Sequence, residues 1–183
     1  MEELPPGSTY LFTLAAVSIT FVGFAALFTA LREVVAGKTT AFDVVLTRNH
    51  FVLGFMVVAA SLLPPLLALF PLPEHVVWRA ASFVAAFPPA VFAIRYPKRR
   101  FAATKTAMPV GTKIILFFLY LTTVVLLVNL FSTPFSPGPA LYALGVTIHL
   151  FTNICAFIYA LRFVLDASPS SEAVVRRRAQ ESA

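Results

Sequence analysis

The stretch that decides the fold is residues 140–161, ALYALGVTIHLFTNICAFIYAL, which contains no charged residue. A helix rises about 1.5 Å per residue, so a run of this length spans the roughly 30 Å hydrocarbon core of a bilayer. Four other runs are similarly apolar, with Arg79 as their one charged residue, and cover residues 10–31, 51–70, 76–94 and 114–131. Together they predict an all-α integral membrane protein, a bundle of five transmembrane helices.

The composition of the whole chain agrees with this prediction. Of its 183 residues, 59% are hydrophobic and only 12% are charged, against roughly 25% charged residues in soluble domains. These values exclude a disordered chain, a coiled coil, a disulfide-rich secreted module and almost any soluble enzyme. A β-barrel is also disfavoured, because its strands alternate polar and apolar residues over about 10 positions, and these runs do not alternate.

The basic residues predict the orientation of the chain in the membrane. All but one of the fourteen Lys and Arg residues follow the first, third or fifth span. Because Lys and Arg concentrate in cytoplasmic loops, we expect the N-terminus outside and the C-terminus in the cytoplasm. Size and composition suggest a multi-pass protein of the bacterial inner (cytoplasmic) membrane. Membrane insertion thus explains the net charge of +6, and we expect no nucleic-acid partner.

The segments outside the spans suggest little independent structure. Residues 1–166 are expected to form a single transmembrane domain, and residues 167–183 a disordered cytoplasmic tail. Thr40 and Asp43 stand at capping-box spacing, with Val45 and Leu46 placed on one helical side. They predict a short interfacial helix over about 39–49, for which a structured loop is the alternative.

Two proline pairs interrupt the spans, Pro64-Pro65 in the second and Pro88-Pro89 in the third. A proline inside a helix removes one amide donor and leaves the carbonyl four residues earlier without its partner. The freed carbonyls need partners from hydroxyls, neighbouring helices or water, and Ser61 is placed to help in the second span. We read both pairs as kinks that shape packing, with a transport site between inverted repeats as the alternative.

The fifth span carries a polar face near its midpoint. Tyr142, Gly145, His149, Thr152 and Asn153 follow at intervals that place them on one side of a helix. Polar side chains at this depth face the bundle interior or a water-filled cavity instead of lipid. This polar face is therefore expected to point inward.

His149 has three alternative roles. Its imidazole can relay protons or gate by pH, can ligate a cofactor, or can stay neutral in a structural hydrogen bond. The other two histidines, His50 and His75, are placed near opposite membrane faces, and no acid lies in mid-membrane. We therefore expect neither a metal site nor a cofactor.

Several further residues are candidates for a function at either end or along the interior. The pathway or gating candidates are His149, Asn153, Thr152, Tyr142, Ser61, Thr122 and Thr123. Arg79 and Glu74 are candidates for an outer mouth, with snorkelling of Arg79 to headgroups as the alternative. Lys98, Arg99 and Arg100 are candidates for contact with anionic lipids at the cytoplasmic face, or they determine topology alone.

The sequence contains no GxSxG elbow, Walker A loop, HExxH or CxxC motif and no paired membrane carboxylates. An enzyme is thus not expected. The favoured hypothesis is an oligomeric channel- or carrier-like protein for ions, protons or small solutes, whose pathway is lined by the polar face of the fifth helix. The alternative is a non-transport accessory or assembly subunit of a larger membrane complex. In the first case the expected partners are lipids and a second copy of the chain, and in the second a partner membrane subunit.

Overall fold

The computed structural model describes residues 5–36, 41–105, 108–131 and 138–166. This part of the chain forms five helices, named α1 to α5 in chain order. Their bounds are Ser8–Ala36, Ala41–Leu67, Glu74–Thr104, Val110–Phe131 and Pro139–Asp166. Each of the five is long and apolar enough to cross a membrane. The prediction of an all-α fold with five such helices is confirmed.

The helices are longer than the apolar runs from which they were predicted. Residues 41–49, expected in a separate short helix, are the first turns of α2, which continues unbroken to Leu67. Helix α3 runs past the predicted limit at residue 94 and through Pro97 to Thr104. Hydropathy marks only the apolar part of a helix, so polar end turns escape it. Thr40 and the predicted tail at 167–183 lie outside the described residues.

Helix α5 is the centre of the bundle. Helix α1 packs mainly on α2, and α3 packs mainly on α4, so neighbours in sequence form two pairs. Helix α5 contacts all four of the others, most extensively α4. Its polar face is therefore enclosed by protein, as the sequence predicts for a polar stripe in an apolar helix.

The two ends of the bundle differ in charge. One end, called the basic end below, brings together the start of α2, the last turns of α3, the start of α4 and the last turns of α5. Exposed basic side chains gather there, among them Arg48, Arg99, Lys105 and Lys113. The other end, called the opposite end, holds the starts of α1 and α5, where Gly7 approaches Pro139.

The outer surface of the bundle is apolar. Large side chains point outward along every helix, and among them Phe83 and Phe87 expose 61% and 65% of their surface. Soluble monomers rarely expose contiguous apolar areas of this kind. The surface is compatible with a multi-pass membrane protein, in which lipid covers these rings.

Candidate functional site: a polar seam inside the bundle

The predicted polar face of α5 is fully enclosed within one chain. Tyr142, Thr152 and Asn153 have no exposed surface, and His149 exposes 2%. Ser61 of α2 and Thr122 of α4 are equally buried, and Thr123 exposes 8%. Every pathway candidate from the sequence thus lies in the interior, and these seven residues are called the seam below.

The contacts between α4 and α5 place Thr122 at the level of His149. The ring of Phe151 packs edge-on against that of Phe118, with centroids 5.1 Å apart. Further along the same pair of helices, a Cβ on Gly145 of α5 would come within 2.8 Å of the side chain of Leu126 on α4. The two helices are therefore antiparallel, and the turn between these contacts brings position 122 beside position 149.

The contacts between α2 and α5 order the rest of the seam. The hydroxyl of Tyr142 reaches the carbonyl of Ala60, so Ser61 lies near the level of Tyr142. Gly54, fewer than two turns before Ala60 on α2, faces Asn153, about three turns after Tyr142 on α5. The Nδ2 of Asn153 would lie 3.0 Å from a Cβ at position 54. The seam thus runs from Tyr142 and Ser61, past His149 and Thr122, to Asn153 on the side of the basic end.

Hydrogen bonds separate the seam residues into two groups. Three hydroxyls have protein partners: Tyr142 donates to Ala60 O at 2.6 Å, Thr152 to Ile148 O at 2.8 Å and Thr123 to Leu119 O at 3.0 Å. Four other side chains have buried atoms without a protein partner, namely Ser61 Oγ, Thr122 Oγ1, His149 Nε2 and both amide atoms of Asn153. Buried polar groups are nearly always hydrogen-bonded, so these four residues have unused capacity for water or a polar solute.

Tyr142 has a structural role that the sequence did not reveal. Pro64 carries no amide hydrogen, so the carbonyl of Ala60 loses its helical partner. The hydroxyl of Tyr142 supplies the missing donor at 2.6 Å. Ser61, the residue expected to satisfy a freed carbonyl, keeps an Oγ without a partner. A tyrosine of the central helix thus bonds the carbonyl that Pro64 leaves without its helical partner in α2.

The same arrangement recurs in α3 in a weaker form. Pro97 frees the carbonyl of Ala93, and the hydroxyl of Tyr120 on α4 donates to that oxygen at 3.5 Å. In each of α2 and α3, therefore, a different tyrosine from a neighbouring helix donates to one carbonyl that a proline leaves without its backbone donor.

Gly54 lets three helices meet beside the seam. A Cβ at this position would overlap the side chain of Val22 on α1. The carbonyl of Gly54 accepts a hydrogen bond from Ser18 Oγ at 3.0 Å. Gly54 thus permits close packing of the helices, whereas Gly23 is exposed and meets nothing within 4 Å.

The opposite end is closed by large side chains with satisfied polar groups. Trp78 is fully buried, and its ring lies 5.6 Å from that of Tyr142, tilted by 52°. Its Nε1 donates a hydrogen bond to Glu74. Asn129 donates to Ser82 Oγ at 2.9 Å and accepts from the amide of Gly138 at 3.1 Å. The outer-mouth candidates, Glu74 and Arg79, lie on the same helix as Trp78, and both are exposed.

The basic end holds a cavity of about 110 Å³. Its polar lining includes His50, Tyr96, Arg100 and Thr112. Of the three candidates for lipid contact, Lys98 and Arg99 are exposed, whereas Arg100 is half-buried. Its Nη1 donates a hydrogen bond to Thr112 Oγ1 at 3.2 Å. The cavity and His50 were missed on the sequence because their residues come from four helices.

His50 connects this cavity with the seam. It lies one turn before Gly54 on the same side of α2, and its ring packs 5.2 Å from that of Phe157, one turn after Asn153 on α5. As for metals, no three His, Cys, Asp or Glu side chains of the described residues lie close enough to hold an ion. The cavity and the seam thus form neighbouring polar regions on one side of the bundle.

The chain has no match in three comparisons. Family models, curated proteins and solved structures each give none. The function therefore has to be argued from the site alone.

Proposed function

We propose that the protein is a multi-pass membrane protein of the bacterial inner membrane that carries or conducts protons or small polar solutes along the seam, with its basic end in the cytoplasm. The observation that carries the proposal is the set of buried polar atoms without protein partners on Ser61, Thr122, His149 and Asn153. In an apolar interior each such atom costs about 1–3 kcal/mol. Several of them in one seam favour an interior that holds water or solute.

His149 is the residue best suited to move a proton along this seam. A neutral imidazole has one donor and one acceptor nitrogen, so it can take a proton on one side and release it on the other. Thr122, at the level of His149, and Asn153, one turn away, both have hydrogen-bonding atoms without a protein partner. The hydroxyl, imidazole and amide groups follow one another along the seam. With water between them, they can form a row of hydrogen bonds through which protons pass.

The difference between the two ends favours a gated or carrier-like mechanism. The seam approaches the cavity of the basic end, whereas Trp78 and Tyr142 close the opposite end. Passage across the bundle therefore requires these two rings to move apart. An open pore is disfavoured for the same reason.

The inward direction of the seam bears on the accessory-subunit alternative. That hypothesis expects polar side chains to bond a helix of another protein, and here they are covered by helices of the same chain. The seam also needs no second copy of the chain to enclose it. Homo-oligomerisation, expected because one copy offers little room, stays a prediction that light scattering in detergent can measure.

Proton flux into liposomes tests the proposal. The purified protein is reconstituted with a pH-sensitive dye inside, and a potassium gradient with valinomycin drives uptake. We expect wild-type liposomes to acidify, and His149→Gln to slow the initial rate by roughly a hundredfold or more, the scale of one acid–base group. The remaining rate should depend less on pH than the wild-type rate does.

The matched control is His75→Gln, because His75 is exposed at the start of α3. It should leave the rate unchanged, and circular dichroism should show that both variants keep their helices. Equal rates for wild type and His149→Gln would remove His149 from the mechanism. No flux of protons, ions or polar solutes under any gradient, together with a stable co-purifying membrane subunit, would replace the proposal with the accessory hypothesis.

A further inference from the structure

The cavity at the basic end has features of a binding site that the proposed transport does not require. It lies between the start of α2, the end of α3, the start of α4 and the end of α5. Its volume of about 110 Å³ is enough for several water molecules or a small organic group. Most of its wall is apolar, from side chains such as Leu53, Phe92 and Leu116, and the polar groups form only part of it.

Arg100 brings a permanent positive charge to this wall. Its side chain is half-buried, and its Nη1 donates to Thr112 Oγ1, which fixes the position of the guanidinium. Guanidinium groups bind carboxylate and phosphate oxygens through short, charge-assisted hydrogen bonds. A half-buried arginine in the wall of a cavity therefore favours an oxyanion as ligand.

His50 is an independent indication of a ligand. It exposes only 4% of its surface, and neither of its ring nitrogens has a hydrogen-bond partner. The ring is held by packing against Phe157 and Phe51, with centroid distances of 5.2 and 6.4 Å. A buried imidazole always carries at least one N–H, so His50 has a donor available to an oxygen atom in the cavity.

The electrostatic surroundings of the cavity favour the same kind of ligand. Six exposed basic side chains surround this end: Arg48, Arg95, Lys98, Arg99, Lys105 and Lys113. Helix α4 begins at Val110, immediately after Pro109, which lines the cavity. The N-terminal end of a helix carries partial positive charge and favours anions.

We propose that this cavity binds the oxyanion of a small amphiphilic anion, a carboxylate or phosphate attached to an apolar group. Arg100 supplies the charge, His50 donates a second hydrogen bond, and the apolar wall accommodates the attached group. The oxyanion can belong to a free solute or to the headgroup of an anionic lipid. This proposal does not depend on transport through the seam, because it concerns binding at one end.

Two probes distinguish the sources of the oxyanion. For the free solute, the full-length protein in phosphatidylcholine nanodiscs is titrated with fluorobenzoate and followed by the line width in fluorine NMR. For the lipid, the protein is purified from phosphatidylglycerol-containing micelles, and retained lipid is counted by native mass spectrometry. Binding in the first arm assigns the site to a free solute, and binding in the second arm alone assigns it to a headgroup.

The decisive comparison is between neighbouring arginines. Arg100→Gln should weaken binding by at least about tenfold, the contribution of one charge-assisted hydrogen bond. Arg99→Gln removes the same charge from an exposed side chain and should leave binding within about twofold. An equal loss in both variants would mean that anions only accumulate at a basic surface, and this would overturn the proposal.

A second variant keeps the test valid if Arg100→Gln does not fold. Ala156 lines the cavity and is half-buried, so Ala156→Leu reduces the cavity and leaves every charge in place. This variant should also lose binding of whichever probe the wild type retains. Unchanged binding by Ala156→Leu, or no binding of either probe to the wild type, would contradict the site.

Discussion

The two ends of the bundle solve the problem of buried polar groups in different ways. Toward the opposite end, the side chains of Trp78, Asn129 and Tyr142 have protein partners, with Ser61 as the exception. Toward the basic end, His50 and Asn153 are equally buried, and their polar atoms have none. Satisfied polar groups stabilise a fold and specify one arrangement, whereas unsatisfied ones cost stability. The comparison suggests that one end maintains the structure and the other is adapted to bind or move a ligand.

The stabilising role of the opposite end is tested first by Trp78→Ala, which should have the largest effect on stability. Trp78 of α3 is fully buried in the apolar core beside Tyr142. Its removal leaves a large cavity. We expect a loss of about 3 kcal/mol in the free energy of unfolding, measured by unfolding in mixed micelles of increasing denaturing detergent.

The control for this variant is Phe83→Ala, since the ring of Phe83 is 61% exposed. It should change the free energy of unfolding by less than about 0.5 kcal/mol, the range of surface substitutions. Similar losses for both variants would show that the opposite end is not the stabilising one.

A second and smaller effect is expected at Pro64 of α2. Tyr142→Phe removes the donor to the carbonyl of Ala60 and should cost about 1 kcal/mol. In a Pro64→Ala background the alanine amide can bond that carbonyl instead, so the same tyrosine substitution should cost much less. A double-mutant cycle measures this difference directly, and a coupling energy of zero would contradict the role given to Tyr142.

The smallest effect is expected at the basic end. His50→Leu replaces a buried ring that makes no hydrogen bond by an apolar side chain of similar volume. Such a change is nearly neutral or stabilising, so we expect a shift between zero and about 1 kcal/mol toward greater stability. A marked loss of stability, in the same micelle assay, would mean that His50 maintains the fold.

The sequence predicted the number and character of the helices well. The apolar runs found all five, because a bilayer-length run of apolar residues has few other stable conformations. The run of 3–4 residue intervals from Tyr142 to Asn153 also predicted correctly that this face of α5 is buried. Orientation in the membrane, oligomeric state and location stay predictions.

The pairing of residues between helices could not be read from the sequence. Lys98, Arg99 and Arg100 form one basic run on the sequence, and only the packing of α4 on α3 turns Arg100 toward Thr112. Similarly, the sequence placed His50 only near a membrane face. Its contact with Phe157 could not be predicted, because Phe157 belongs to the last helix of the chain. These differences depend on helix rotation, which local patterns do not determine.

The central position of α5 has a consequence for the synthesis of the protein. Helices α1 and α2, and then α3 and α4, can pair as soon as each pair leaves the ribosome, because each pair is adjacent in sequence. Ser61 and Thr122 are covered only after α5 has been made, since their burial depends on the helix that contacts all four others. A ribosome that stalls before α5 would thus leave two apolar helix pairs with a polar groove between them, which is the kind of exposed surface that quality-control proteases recognise.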